Sequence, residues 1–374
     1  MKKIVVMLLI SLFVVPTLYA KGLKFKITED LIYDDNIYST TRDSDGSFIS
    51  STQLFAGFSS KIPSSSLNFD AKANVGYNAY TKDPSTNNYF NAGLGLKLNN
   101  KFFDFRDDFV YTSDPANNSL DDRAERINNN AYLGYTSNKE KKLGFGVFAQ
   151  DILDNYMEKR YELLNRNRIN AGVKGFYNFT PKKSLYIGYQ YSNIEYSKNE
   201  FNNSNGNSYF LGATGEITAK IKGTVQVSYD DRHYNKEYEN SMENGNLIGY
   251  LADITYKPLY TTTLSLKSER KMEETFYTNN RYYISTSVDF SVKQVLFRKW
   301  TLGMAFGYEN MEYPRSVGDL DRVDDYFTFT PSIDYKFQNV FSLGVWYQFK
   351  DKISNIENNN YITNRTGIKA AFFF

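Results

Sequence analysis

The chain has 374 residues, a formal net charge of +2, 41% apolar and 17% aromatic side chains, one histidine and no cysteine. Its mean hydropathy of -0.53 excludes a bundle of membrane helices, because each helical span needs about 20 consecutive apolar residues. The absence of cysteine excludes a disulfide scaffold, a zinc–thiolate site and a lipoprotein anchor. The 32 tyrosines and 29 phenylalanines are many for so polar a chain, and the balanced charge gives no reason to expect a nucleic-acid partner.

The N-terminus is typical of a secretory signal. Lys2 and Lys3 precede the apolar segment 4–15, and the polar segment 16–20 ends in the small residue Ala20. A retained membrane anchor is the alternative, but an apolar core of about 12 residues is short for a span. We therefore predict a signal peptide over 1–20 and a single domain over 21–374, with 42 basic and 42 acidic groups after removal of the two lysines.

The rest of the chain alternates apolar and polar residues with period two. Phe327, Phe329, Ile333 and Tyr335, for example, are interleaved with polar residues, which is the pattern of a strand with one apolar and one polar face. Eighteen strands are predicted, near residues 24–34, 48–60, 67–81, 89–99, 101–112, 126–137, 143–157, 165–179, 184–197, 207–219, 222–235, 246–257, 261–274, 280–293, 298–313, 323–337, 340–353 and 361–374.

The links between these segments alternate in length. Short lysine-bearing links such as 139–142 and 181–183 follow the even-numbered strands, and longer polar links such as 35–47 and 113–125 follow the odd-numbered ones. Strands of a soluble β-sandwich are shorter, about 5–6 residues, and a sheet that spans a bilayer must close. The sequence therefore predicts an all-β fold, a transmembrane antiparallel outer-membrane β-barrel of about 18 strands (16–18).

Many tyrosines fall where strands meet the long links. We predict that they form an aromatic girdle with rings in lipid and hydroxyls among the headgroups. They are Tyr33, Tyr77, Tyr80, Tyr111, Tyr191, Tyr196, Tyr229, Tyr234, Tyr308 and Tyr313.

The C-terminal strand carries the most specific pattern. Ile368, Ala370, Phe372 and Phe374 fall on one face, which we predict to face lipid. A terminal phenylalanine preceded by apolar residues at every second position resembles the assembly signal of bacterial outer-membrane barrels. An even strand number then puts this terminus in the periplasm and the long links outside the cell.

Three short stretches carry a family resemblance. The segment Tyr33–Tyr38 (Tyr-Asp-Asp-Asn-Ile-Tyr), the hairpin Phe179–Ser192 around Thr-Pro-Lys-Lys-Ser, and Asn364–Gly367 before the aromatic end resemble the putative beta-barrel porin type 2 family. The resemblance is spread over most of the mature chain through short, degenerate motifs. It implies an outer-membrane barrel, of a kind associated with exopolysaccharide systems, without established catalytic residues.

Eighteen strands enclose an aqueous channel, whereas eight are filled by their own side chains. Since no link exceeds about fifteen residues, any constriction must come from folded-in loops or wall side chains. The mixed signs of the inward-facing charges predict a hydrated wall with weak ion preference. The pore-lining candidates are Asp70, Lys72, Arg106, Asp108, Arg168, Lys174, Lys267, Lys271, Asp334, Lys336, Arg365 and Lys369.

Charge differs between the two sets of links. The short links hold mostly lysine and arginine, which leaves two readings of the acidic long links: solvated loops, or a mouth that favours cations or divalent ions bridging to surface glycans. The acidic residues are Asp34, Asp35, Asp43, Asp45, Asp121, Asp122, Glu125, Glu237, Glu239, Glu243, Asp319 and Asp321.

We predict no catalytic residue, metal site or cofactor. Barrel hydrolases rely on histidine, which titrates near neutral pH, and the chain has only His233. By parity His233 faces lipid at the outer rim, while Asp230 and Arg232 face inward. We therefore do not predict an enzyme.

The sequence favours a passive outer-membrane channel for saccharides or other small solutes, or for exopolysaccharide export. Four inward aromatics, Tyr186, Tyr283, Tyr326 and Trp346, could stack on sugar rings but do not by themselves form a track. The alternative is a non-conducting barrel whose loops anchor polysaccharide or partner proteins. The expected partners are outer-membrane lipid, lipopolysaccharide and the barrel assembly machinery.

Overall fold

The computed structural model describes residues 22–41, 44–62, 66–115, 123–137, 140–235, 244–275, 281–314 and 321–374. A helical turn spans Pro84–Asn87, and 3-10 helices span Lys159–Leu164 and Glu200–Asn202. The strands, β1 to β18 in chain order, are Leu23–Asp34, Ser47–Ile62, Leu67–Tyr80, Tyr89–Asn99, Phe103–Thr112, Arg126–Thr136, Leu143–Tyr156, Arg166–Thr180, Lys183–Tyr196, Ser204–Glu216, Ile221–Tyr234, Gly245–Tyr256, Thr262–Glu274, Tyr282–Leu296, Trp300–Tyr313, Arg322–Phe337, Phe341–Ser354 and Tyr361–Phe373.

The strands form one closed sheet. Each pairs antiparallel with its neighbours in the sequence, and β1 also pairs with β18, from Lys26 opposite Phe373 to Asp34 opposite Arg365. Closure leaves no sheet edge with unpaired backbone groups, as a bilayer requires. The predicted fold class and strand number are confirmed. No helix in the described part of the chain is long and apolar enough to cross a membrane.

Strand boundaries agree with the prediction to within three residues. The largest difference is at β10, predicted over 207–219 but found over Ser204–Glu216. Its polar start is typical of a link, yet Asn205 and Gly206 pair with both β9 and β11. Its end comes early because Gly215 has a φ of 138°, in the region that favours glycine, and the chain turns after Glu216.

The two faces of the barrel differ as the period-two pattern predicts. Directly paired residues share a face, so the face of Tyr283 can be followed to Glu273 on β13, and through Ser285 to Met311 on β15. That face lines the inside and is mostly polar. The opposite face carries the exposed apolar side chains, for example Leu211 and Val227 at 61% and 58% exposure.

The links alternate in length as predicted. Those after the even-numbered strands have two to six residues and those after the odd-numbered strands six to thirteen. Both the start of β1 and the end of β18 lie at the short-link end, because the strand number is even. Ile368, Phe372 and Phe374 lie on the apolar outer face at 53%, 43% and 69% exposure, as does Ala370 by register. The predicted signal peptide, 1–20, lies outside the described residues.

The outward position predicted for the girdle tyrosines is confirmed for six residues and wrong for four. Tyr33, Tyr77, Tyr111, Tyr191, Tyr229 and Tyr308 are on the outer face. Tyr80, Tyr196, Tyr234 and Tyr313 face inward. The reason is strand parity: each lies three or five residues from an outward tyrosine of its own strand, and an odd separation reverses the face.

Candidate functional site: the lumen and its constriction

The register places all twelve pore-lining candidates on the inner face, but it distributes them over the whole wall. The first four, Asp70, Lys72, Arg106 and Asp108, lie together around a depression of about 360 Å³. Arg106 pairs with Asp104 and packs over the Tyr132 ring, with 5.6 Å between guanidinium and ring centroid. The others are Arg168 and Lys174 on β8, Lys267 and Lys271 on β13, Asp334 and Lys336 on β16, and Arg365 and Lys369 on β18.

Burial of inner-face side chains increases toward the long-link end. On β16, Lys336 is exposed, Asp334 is half-buried, and Asp324 is completely buried. On β3 the same gradient runs from exposed Lys72 to Tyr80, which is 5% exposed. The lumen is therefore open at the short-link end and filled with side chains at the other.

Part of this filling comes from the links. Ile37 of the first long link packs on Ile49 and Tyr80. The Arg123 guanidinium lies 4.3 Å from the Tyr80 ring centroid, and Tyr161 packs on the inward ring of Tyr156. Folded-in loops, one of the two predicted sources of a constriction, therefore contribute to this filling.

The end of the β13–β14 hairpin leaves the barrel wall. β12 and β13 pair only from Tyr256 opposite Leu264 to Tyr250 opposite Arg270, whereas β13 and β14 remain paired to Glu274 opposite Tyr282. The last four residues of β13 are thus separated from β12. We call the residues 271–275 and 281–285 the inward hairpin.

Contacts across the lumen show the direction of this bend. Glu274, which strand parity would place outside, forms ion pairs with Arg168 and Arg232, two inward side chains of β8 and β11. It is 3% exposed. The rings of Tyr282 and inward Tyr234 stack at 6.4 Å between centroids. The hairpin therefore packs against the inner wall, and the face that strand parity assigns to the outside is buried.

The inward hairpin separates two cavities. One, of about 260 Å³, lies between it and β8–β11 and is lined by Arg168, Arg232 and Glu273 among others. The second, of about 400 Å³, lies toward β14–β17. Lys271 and Glu273 line both, and Lys271 Nζ lies 2.8 Å from Glu269 Oε1 and 2.7 Å from Glu273 Oε1. The narrow part of the lumen thus carries a ladder of alternating charge.

Three of the five described acidic residues at the long links form hydrogen bonds or ion pairs. Asp34 accepts a hydrogen bond from Arg365 Nε at 2.7 Å, and Asp35 accepts from Asn364. Asp45 lies 3.0 Å from Lys82 Nζ, and this hydrogen bond raises the pKa of Lys82. Of the five described candidates for an acidic mouth, Asp34 and Asp45 are thus paired with cations, and Asp35 is bonded to a neutral amide. Asp43, Asp121, Asp122, Glu237, Glu239, Glu243 and Asp319 lie outside the described residues.

His233 lies on the outer face at the long-link end, where its Nε2 is 2.8 Å from Asp231 Oδ2. Asp230 and Arg232 face inward, as predicted, so these three side chains are divided between the two sides of the wall. That His233 has no catalytic role stays a prediction.

Strand parity correctly gives the inner face for Tyr186, Tyr283, Tyr326 and Trp346, but the first three are at most 6% exposed. Sequence reasoning missed inward Tyr132, Phe148, Phe176 and Phe210, although the same parity could have found them. It also missed the inward hairpin. No local signal marks Glu274, because its role depends on Arg168 and Arg232 far away in the chain.

The sequence matches the family model described as "Putative beta-barrel porin 2" over residues 159–372, more than half of the chain. No curated protein matches. Among solved structures, Acinetobacter baumannii OccAB4 is similar at 12% identity and a TM-score of 0.48, covering 95% of this chain and 99% of that one. Pseudomonas aeruginosa OpdQ is similar at 12% identity and a TM-score of 0.49, with 95% and 100% coverage. The outer membrane protein OpdK of the same organism has 8% identity, a TM-score of 0.49, and 95% and 100% coverage. Because the family model matches more than half of the chain and the strands form a closed 18-stranded barrel, the chain belongs to the putative beta-barrel porin 2 family and is a porin-like outer-membrane barrel.

Proposed function

We propose that the barrel is a passive diffusion channel for small hydrophilic solutes. The observation that carries this proposal is the polar inner face, which runs through the paired registers of all eighteen strands and encloses cavities beside the inward hairpin. A barrel of this size leaves room for water. The hairpin and the charge ladder around Lys271 would set the size limit for solutes.

The proposed orientation puts the short links and both strand termini in the periplasm and the long links outside the cell. The even strand number and the short-link position of Phe374 support it. Lipid and lipopolysaccharide would then surround the outer face, and the barrel assembly machinery would bind the last strand. Cleavage after Ala20 and the absence of enzymatic activity belong to the same proposal.

Saccharides are a second candidate class of solute. A row of inward amides supports it: Asn170 Nδ2 donates to Gln150 Oε1 at 3.1 Å, and Gln150 Nε2 donates to Asn130 Oδ1 at 2.9 Å. Such groups hydrogen-bond well with sugar hydroxyls. Export of a polysaccharide chain would also require the inward hairpin to move, so the structure favours small solutes over polymers.

Purified barrel in planar bilayers tests the proposal. We expect steady conductance steps, and liposomes that swell in isotonic monosaccharide if sugars pass. A folded barrel without current would overturn the channel and favour the alternative, a surface anchor for polysaccharide or partner proteins. Orientation is tested separately by labelling a cysteine placed at Lys182 or Asp45 with a membrane-impermeant reagent on whole cells.

A further inference from the structure

A groove lies on the outer face of the barrel near the short-link end. It has a volume of about 210 Å³ and lies across β9 to β12. Two glycines, Gly215 on β10 and Gly223 on β11, pair directly with each other and form its floor. The same row continues to Lys183 on β9 at one end and to Ile254 on β12 at the other. Four neighbouring strands thus carry two outer-face side chains in this row instead of four.

The barrel's own side chains do not fill this groove. A Cβ on Gly223 would lie 2.3 Å from the Asp253 carbonyl oxygen, and one on Gly215 would lie 1.9 Å from that of Lys182. Both positions therefore require glycine, and Ala213 beside them on β10 adds only a methyl group. The floor of the groove consists of backbone that is open to the lipid side.

The walls of the groove are apolar and exposed. Phe179, Ile217 and Leu185 line it and are 60%, 55% and 41% exposed. A void between apolar groups forfeits dispersion contacts unless another group enters it. An α-helix, which is about 10 Å across, is too large for this volume. Because the outer face lies in lipid, a flexible acyl chain is the group that fits.

Lys183 gives one end of the groove a positive charge. Register places only two lysines or arginines of the described strands on the outer face, Lys183 and Arg270. Arg270 lies toward the long-link end and pairs with Glu312. Lys183 is exposed and has no ion pair within the described part of the chain, whereas its neighbour Lys182 pairs with Glu216. The outer-face lysine without a carboxylate thus lies at the groove, where an anionic headgroup complements it.

We propose that the groove binds a phospholipid of net negative charge. One acyl chain would lie over Gly215 and Gly223, and the phosphate would contact Lys183 Nζ. The lipid belongs to the periplasmic leaflet, an assignment that rests on the orientation proposed above, but its binding does not require the barrel to conduct. If the groove only results from strand packing around the glycines, lipids cover it without preference.

Native mass spectrometry of the whole barrel in detergent, titrated with phosphatidylglycerol or phosphatidylethanolamine, tests the site. We expect the first phosphatidylglycerol to bind about fivefold more tightly than the first phosphatidylethanolamine, which is the contribution of one lysine toward an anionic lipid. Lys183→Met should remove this preference. Ala213→Leu, which fills the groove and keeps the cation, should weaken the binding of both phospholipids.

The lipid that remains bound after gentle extraction from outer membranes identifies the leaflet. We expect the mass of a phospholipid, lost in Lys183→Met. A lipid A mass that is lost in the same variant would overturn the periplasmic assignment.

Lys101→Met and Ala71→Leu are the matched controls and should leave lipid binding unchanged. Lys101 is an exposed lysine of another short link, and Ala71 is an outer-face alanine on β3, away from the groove. Folding of each variant is checked by its heat-dependent migration on gels. Equal affinity of the wild type for the two phospholipids, an unchanged preference in folded Lys183→Met, or unchanged binding in folded Ala213→Leu would each overturn the site. Dimer masses that disappear in Ala213→Leu would instead put a second copy of the chain in the groove.

Discussion

At the scale of single residues, glycines decide where the chain can turn and where rings can lie. Gly215 shows the strongest requirement, since its φ is 138° and a Cβ there would lie 1.9 Å from the Lys182 carbonyl oxygen. Gly57, on the inner face of β2, has nothing within 4 Å of the same position. A methyl group added at Gly215 should therefore lower the free energy of unfolding, whereas one added at Gly57 should change it little.

Gly215→Ala should destabilise the barrel by about 1 to 3 kcal/mol, the cost of a strained backbone. Urea unfolding from lipid vesicles measures the free energy of unfolding. Gly57→Ala is the control and should change it little. Equal stability of the two variants would show that the turn after β10 relaxes without cost.

A second residue-scale prediction concerns the end of the chain. Phe372 and Phe374 lie on the outer face of β18, where the assembly signal was predicted. Phe372→Ser should lower the amount of folded barrel in the outer membrane several-fold, measured by heat-modifiable migration of membrane fractions. Phe297→Ser is the control, since Phe297 is an exposed aromatic in a short turn, and an equal loss there would contradict a specific signal.

At the scale of elements, the inward hairpin is held by contacts that its own strands do not supply. Glu274 is the main one, because it contacts guanidinium groups of β8 and β11 and is nearly inaccessible to water. Removing one partner of a buried ion pair leaves the other charges without compensation. The hairpin end has few wall pairings to keep it in place once that contact is lost.

Glu274→Gln should therefore loosen the inward hairpin and give larger, noisier single-channel currents than the wild type. Glu216→Gln is the control, because Glu216 pairs with Lys182 at the solvent-exposed short-link end. If Glu274→Gln conducts like the wild type while remaining folded, the hairpin is not the constriction.

At the scale of the whole molecule, charge is sorted between the faces and ends of the barrel. Through the paired registers of the described strands, the inner face carries more lysine and arginine than carboxylate, including Lys26, Lys336 and Lys369 near the open end. Asp34, Asp35 and Asp45 at the long links are instead occupied by hydrogen bonds and ion pairs. The surplus of cations on the described inner face therefore favours anions in the lumen.

We expect a modest preference for anions in a potassium chloride gradient, seen as a shift of the reversal potential toward that of chloride. Raising the ionic strength should reduce the shift, because salt screens charges that lie in water. A preference for cations, especially one that increases when divalent ions are added, would instead support a cation-selective acidic mouth.

The sequence by itself determined the strand number, the strand boundaries to within three residues and the face of each pore-lining candidate. Alternation follows from the local geometry of a strand, in which neighbouring side chains point to opposite sides. The same rule could have separated Tyr77 from Tyr80 and found Phe148 and Phe210. Only the tertiary structure decided that Glu274 turns inward and that three aromatic rings surround Lys174. Those features depend on contacts between distant strands across a closed barrel, which local periodicity does not encode.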